Sequence, residues 1–497
     1  MDPQPESPFQ PVPGAFPPSP PSPALSPFPL LDLPQECILA IIEAVDDERP
    51  YSPTFPAGPS SHLLSLSLTS TWFNTVCSPL VWRSVRYAPT HILRPAAWRR
   101  KRDLRALREL IKGRERLGMD ALRVVQLSIE DPAGKDSLEV SEDQEEEDAC
   151  VEVIEVLAKT SLQVLFLKSV EMTSINGQKL LRAIAASPRL SAIRFNQVDF
   201  WPNAPDVVDD FVSLPRIKTL QVMHSSDELF QLVDKCPSID SLLLWPSTRR
   251  MGPRMNAIKA LLPHLRNLSL DAVREAEVFR TLADEILRLS QGTPLTLPLE
   301  ELFLEGPSQP ADLSVLVSAI GELPNLQRLA LYQVLSPKPA LFNDLAMAAP
   351  QLRALTVVSG DCQEAVEWPA PLHQYLPSLS LFRSLRFFAS DRRSPHRAES
   401  DDSDDSDDAQ NALERLLMGK RDSKRQKLRE FESMGKLAKA VPGLREAVAI
   451  TSDVSEGSSG YFATFTRERG KTRIVLKHKT VNDFLIHYDR WVRVEDD

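Results

Sequence analysis

The sequence predicts an α/β protein: a small three-helix unit, then a solenoid in which strands pair in parallel into a curved sheet with helices outside. Three observations lead there. A six-residue pattern, apolar-x-x-apolar-x-apolar, recurs through the middle of the chain, with helical stretches between copies. A short segment ahead of it carries apolar stripes on two sides of its helices. The remaining stretches are proline-rich or acidic and cannot build a core.

The 497 residues are enough for about two to four domains. The net charge of −10 is concentrated in Glu142–Asp148 (EDQEEED, −6) and Glu399–Asp408 (ESDDSDDSDD, −7). The rest of the chain is therefore at +3, close to neutral, and both acidic runs read as solvated, disordered loops. Cys37, Cys77, Cys150, Cys236 and Cys362 form no C-x-x-C pair, which fits a reducing compartment, cytoplasmic or nuclear, and no zinc site. No stretch is long and apolar enough for a membrane span, and the opening MDPQPESPFQ does not read as a signal peptide.

Residues 1–31 are proline-rich and read as a disordered tail. Residues 32–87 open with LPQECILAIIEAV, where Pro34 suits a first helical turn and Ile38, Ile41, Ile42 and Val45 line one stripe. After the loop Asp46–His62 comes LLSLSLTSTWFNTVCSPLVWRSV. A helix here carries Leu64, Leu68 and Trp72 on one stripe and Leu66, Thr69, Phe73 and Val76 on another; a third helix is expected around Pro79–Val85. A unit of this size should not be apolar on two sides unless one side meets a partner.

The run L-P-x-E, an apolar helix, L-L-x-L-x-L-T-S-x-x-F and P-L-V-W resembles the F-box. Leu33-Pro34 matches its opening dipeptide, Glu36 its acid, Ile38, Ile41 and Val45 its first helix, and Trp82 its closing Trp; Phe73 stands where a Trp is common. The resemblance implies that one face binds the Skp-type adaptor of a cullin ubiquitin ligase. The residues it assigns to that contact are Leu33, Pro34, Glu36, Ile38, Leu39, Ile42, Leu64, Leu68, Trp72, Phe73 and Trp82.

Residues 88–119 form a linker in which RPAAWRRKRDLRALRELIKGRER reads as a basic helix with a solvated face. A nucleic-acid patch is the weaker alternative, because no stacking aromatics follow it. Residues 120–390 hold the repeats: LQVLFL from Leu162, LSAIRF, IKTLQV, IDSLLL, LRNLSL, LEELFL, LQRLAL and LRALTV, with LRVVQL from Leu122 and FRSLRF from Phe382 as weaker flanking copies. A proline precedes many copies and stops the helix before the strand. Most starts lie 22 to 34 residues apart. The pattern resembles leucine-rich repeats, and one unit cannot bury its own face, so neighbours must stack. The family's Asn or Cys after the last Leu is replaced by Val170, Val198, Ser225, Ser247, Val273, Pro307, Val334 and Gly360, so the backbone ladder it would satisfy is expected to be absent.

Strand alternation puts the residues between and after the last two apolar positions on the concave face. There the sequence offers Phe166, Arg194, Met223, Leu243, Trp245, Phe303 and Tyr332 as candidate substrate contacts. An equally weighted alternative makes Trp245 part of the core. Residues 391–412 read as a disordered acidic run, and 413–497 as a terminal cap that includes a hairpin turning at Gly470.

No dinucleotide, nucleophile-elbow or metalloprotease motif is present, so no catalytic, metal or cofactor site is assigned and an enzyme is not expected. The expected function is a non-catalytic substrate receptor of an SCF-type ligase. Its partners would be the adaptor, a cullin through it and a protein substrate, without nucleic acid or membrane. The alternative is a repeat scaffold with no ligase role.

Overall fold

Every repeat between Leu122 and Val357 enters its strand at the third residue of the six, where extended backbone first lets side chains alternate between two faces. In the computed structural model the described residues are 37–38, 42, 65–66, 68–69, 71–81, 84–87, 124–128, 148, 151–152, 154–155, 158–159, 162–201, 213–245, 254–271, 276–292, 296–308, 310–334, 337–359, 368, 370–391, 428, 431–451, 458–468 and 471–481. Two compact units are present, Met1–Glu48 and Arg49–Asp497. Within the first, Cys37, Ile38 and Ile42 are helical; Ile38 and Ile42 are buried and Cys37 is exposed.

The second unit is a leucine-rich-repeat-type solenoid. Its strands are β1 (Ser84–Tyr87), β2 (Val124–Ser128), β3 (Val164–Thr173), β4 (Ala192–Trp201), β5 (Thr219–Met223), β6 (Ser241–Trp245) and β7 (Asn267–Asp271). They continue as β8 (Glu301–Ser308), β9 (Arg328–Val334), β10 (Ala354–Val357), β11 (Phe387–Ser390), β12 (Glu446–Thr451), β13 (Ser458–Glu468) and β14 (Lys471–Val481). All lie in one sheet in chain order. Pairing is parallel from β1 to β12 and antiparallel through the β13–β14 hairpin.

Among the described residues the helices include α1 (Thr71–Val81), α2 (Ser174–Ala186), α3 (Met255–Leu261), α4 (Ala276–Gly292), α5 (Pro310–Gly321), α6 (Pro339–Ala348) and α7 (Leu372–Leu379), and a short helical stretch, Asp227–Gln231 and Leu232–Lys235, lies between β5 and β6. Thr173 caps α2, its side chain accepting from Asn176 N. Helices α4 to α7 pack side by side along one face of the sheet. Two in-register rows fill the space beneath the helices: Leu165, Ile193, Leu220, Leu242, Leu268, Leu302, Leu329 and Leu355, then Leu167, Phe195, Val222, Leu244, Leu270, Leu304, Leu331 and Val357. Burial of such rows is the main stabilising term of a fold whose repeats touch only their neighbours.

Several expectations are corrected. The helix read continuously from Leu64 is interrupted: Leu68 and Thr69 form a turn, with Thr69 N and Oγ1 both donating to Leu66 O, before α1 begins. No separate helix starts at Pro79. Instead α1 runs through to Val81, and Ser84–Tyr87 is the first strand of the sheet, paired with β2. The copy FRSLRF starts three residues early: Phe387 aligns with Ala354, so the copy in the structure is LRFFAS from Leu385.

A further repeat, LREAVA from Leu444, forms β12. It carries the same proline signal as the others, Pro442, and a Cβ at Gly443 would sit 3.0 Å from Leu385 O, a close approach that favours glycine. Asp148, the last residue of the first acidic run, is helical and bonded to Asn176 Nδ2 at 3.1 Å rather than free in a loop. The proline-rich tail, the basic linker helix, the second acidic run Glu399–Asp408 and the turn at Gly470 lie outside the described residues.

Candidate functional site

The sheet face away from the helices carries its own buried cluster, separate from the main core. Register sets Phe166, Arg194, Gln221, Leu243, Ser269, Phe303, Ala330 and Thr356 in one row across β3 to β10. Met223 sits beside Trp245, and Asp271, Glu305 and Tyr332 continue the next row. All seven candidate substrate contacts therefore share one face, as the repeat spacing predicts.

They fall into two groups. Trp245, Phe303 and Tyr332 form a continuous aromatic ladder, with ring centroids 5.5 Å and 4.8 Å apart. Met223 and Leu243 belong to the same cluster. Phe166 and Arg194 pair separately, the guanidinium lying 4.7 Å from the ring centroid.

The expectation that this face is open is not met. Trp245 and Tyr332 are 9% exposed, Phe303 7% and Met223 0%. Strands about 4.8 Å apart bring large side chains edge to edge, so neighbours shield one another. Trp245 Nε1 also donates to Ser269 Oγ at 3.1 Å, which satisfies the one polar atom of the indole.

Sequence reasoning missed Phe387 and Val448, which extend the cluster along β11 and β12. The frame LREAVA puts Val448 at the fifth position, where the rule finds it; Phe387 is the third residue of its copy, which strand alternation places on the same face. His224 was also missed. Its ring stands 6.1 Å from Trp245, and burial lowers its pKa. With φ 48° it shares a left-handed backbone with Gln197 and Gln333, which occupy the same position of their repeats.

The ladder expected to be absent is partly rebuilt by Ser225. Its buried hydroxyl donates to Met223 O at 2.8 Å and accepts from Val198 N at 3.1 Å, so it satisfies backbone groups of two successive repeats.

On the candidate adaptor-binding segment, Phe73 is 5% exposed and Trp72 is half-buried against it, with rings 5.0 Å apart. Leu68 is 81% exposed, more than any other large apolar residue among those described. Phe73 and Cys77 on α1 are buried, while Leu68, in the turn ahead of it, is exposed; the expected stripes do not run through that turn. Leu33, Pro34, Glu36, Leu39, Leu64 and Trp82 lie outside the described residues.

No group of His, Cys, Asp and Glu among the described residues is placed to hold a metal ion, and no helix among them is long and apolar enough to cross a membrane. Cys236 is buried and its thiol is pushed up to about 12 by burial, so it is not a nucleophile at neutral pH.

No family model matches the sequence, and no curated protein matches it. Among solved structures, the chain has a distant similarity to one described as the crystal structure of the Rad7 and Elc1 complex in yeast. The identity is 15%, over 67% of this chain and 87% of that one, with a TM-score of 0.32.

Proposed function

We propose that this chain is a non-catalytic substrate receptor of an SCF-type cullin ubiquitin ligase. The F-box-like segment docks a Skp-type adaptor, and the repeat sheet holds a protein substrate. The observation that carries the reading is Leu68, 81% exposed in the turn ahead of α1, in the segment that resembles an F-box and in which Phe73 is buried. An apolar side chain left in water at that place has a use if a partner covers it. The repeat sheet supplies the second requirement, a long rigid surface in the same chain. Rate gain would come from tethering, which raises the local concentration of substrate near the ubiquitin-charged enzyme.

Affinity purification of the tagged full chain tests this. Recovery of the adaptor and a cullin supports the receptor; their consistent absence leaves a repeat scaffold without a ligase role.

A further inference from the structure

The two edges of the sheet are built differently. At one, β1 is four residues long, Ser84–Tyr87. At the other, β14 runs for eleven residues, Lys471–Val481, and its register with β13 is unbroken from the Glu468–Lys471 pair to the Ser458–Val481 pair. β14 closes the strand order, and no described strand pairs with its outer edge. Such an edge presents a row of backbone N–H and C=O groups to which another strand can bond.

An edge is protected by being short, bulged, interrupted by proline or charged. β14 is long, regular and free of proline, so charge is the protection left. Its sequence, KTRIVLKHKTV, holds Lys471, Arg473, Lys477 and Lys479 and no acid. Strand alternation puts these four positions on one face, together with Val475. Arg473 and Val475 are exposed there. On the opposite face Ile474 and Leu476 are partly buried against the main core. The charge decides which strand can be added. A second copy, paired antiparallel about Val475, would set Lys471 against Lys479 and Arg473 against Lys477, and like charges directly opposite destabilise a sheet. The chain's own Glu399–Asp408 has the right sign but contains no β-branched or aromatic residue to favour a strand.

We propose that the outer edge of β14 is a docking site for an extended segment of a partner protein in which acidic residues alternate with β-branched ones. The partner's backbone adds a strand to the sheet and supplies most of the affinity. Its acids lie beside the basic face of β14, and the residues between them continue the row of Ile474 and Leu476. This edge belongs to the terminal hairpin, apart from strands β3 to β9 that carry the candidate substrate contacts, and the inference does not depend on the receptor reading.

The test uses the full-length chain and a fluorescent peptide of strand length that alternates Glu with Val or Thr. Anisotropy should show saturable binding, at least about tenfold weaker for the same peptide with Lys in place of Glu. N-methylation of the peptide amides removes the donors and leaves the charge unchanged, and should also weaken binding at least about tenfold. Arg473→Glu with Lys477→Glu should abolish binding at unchanged melting temperature. Lys439→Glu, an exposed cation in the helical stretch 431–440 ahead of β12, should leave it intact. No binding by wild type, equal binding of the Glu and Lys peptides, or binding that survives N-methylation or the double substitution overturns the proposal. So does a dimer of the chain that excludes the peptide. Tighter peptide binding by a chain lacking Glu399–Asp408 would make that run the occupant and overturn it as well.

Discussion

Trp245 and Ser269 stand on adjacent strands, and the indole Nε1 donates to the serine hydroxyl at 3.1 Å within a buried aromatic ladder. Small Ser269 leaves room for the large ring. Trp245→Ala should therefore lower unfolding free energy by about 3–5 kcal/mol, the range of a core truncation. Denaturant unfolding measures it. A change within about 0.5 kcal/mol would mean that Trp245 is a surface residue.

Ser225→Ala removes the hydroxyl that serves Met223 O and Val198 N. Leaving such buried groups unsatisfied should cost about 1–3 kcal/mol. Hydrogen exchange should locate the effect at the Val198 amide, which exchanges faster in the variant; an unchanged rate there contradicts the bridge.

Most of the sheet was legible because Leu, Ile and Val at positions one, four and six of a repeat leave one frame. Where the signal thins, reading fails for definite reasons. In FRSLRFFAS apolar residues are dense enough to allow two frames, and the bonds from Arg386 N and Phe387 N to Arg353 O select the later one. Strand β12 escaped notice because Ala447 and Ala449 are small and carry little hydrophobic signal. Pro79 suggests a helix start by its sequence, yet it lies inside α1. Of the candidate site, the alternation of β-strands gave the shared face of Trp245, Phe303 and Tyr332. It did not give their burial, because alternation says which way a side chain points and not what lies against it.

Asp391 predicts a pH dependence. Its carboxylate accepts from Ser359 N at 2.9 Å and Trp368 Nε1 at 3.0 Å, yet burial outweighs these bonds and raises its pKa above the usual 3.8. A raised folded-state pKa means that protonation favours the fold. This group's contribution is full below about 3.8 and falls as pH rises through the higher folded value. Asp391→Asn should remove that component, so the difference in stability between variant and wild type should shift in the variant's favour as pH rises across that window. A difference that is flat with pH contradicts the assignment.

The central claim is that exposed Leu68, in the turn ahead of α1, meets an adaptor. The most direct measurement is the affinity of the purified full chain for a purified Skp-type adaptor, with and without Leu68→Asp. At 81% exposure the substitution should change stability by no more than about 0.5 kcal/mol. Binding should weaken at least about thirtyfold, the equivalent of a 2 kcal/mol hot spot. Equal affinities for the two chains, or no binding by wild type, would contradict the account.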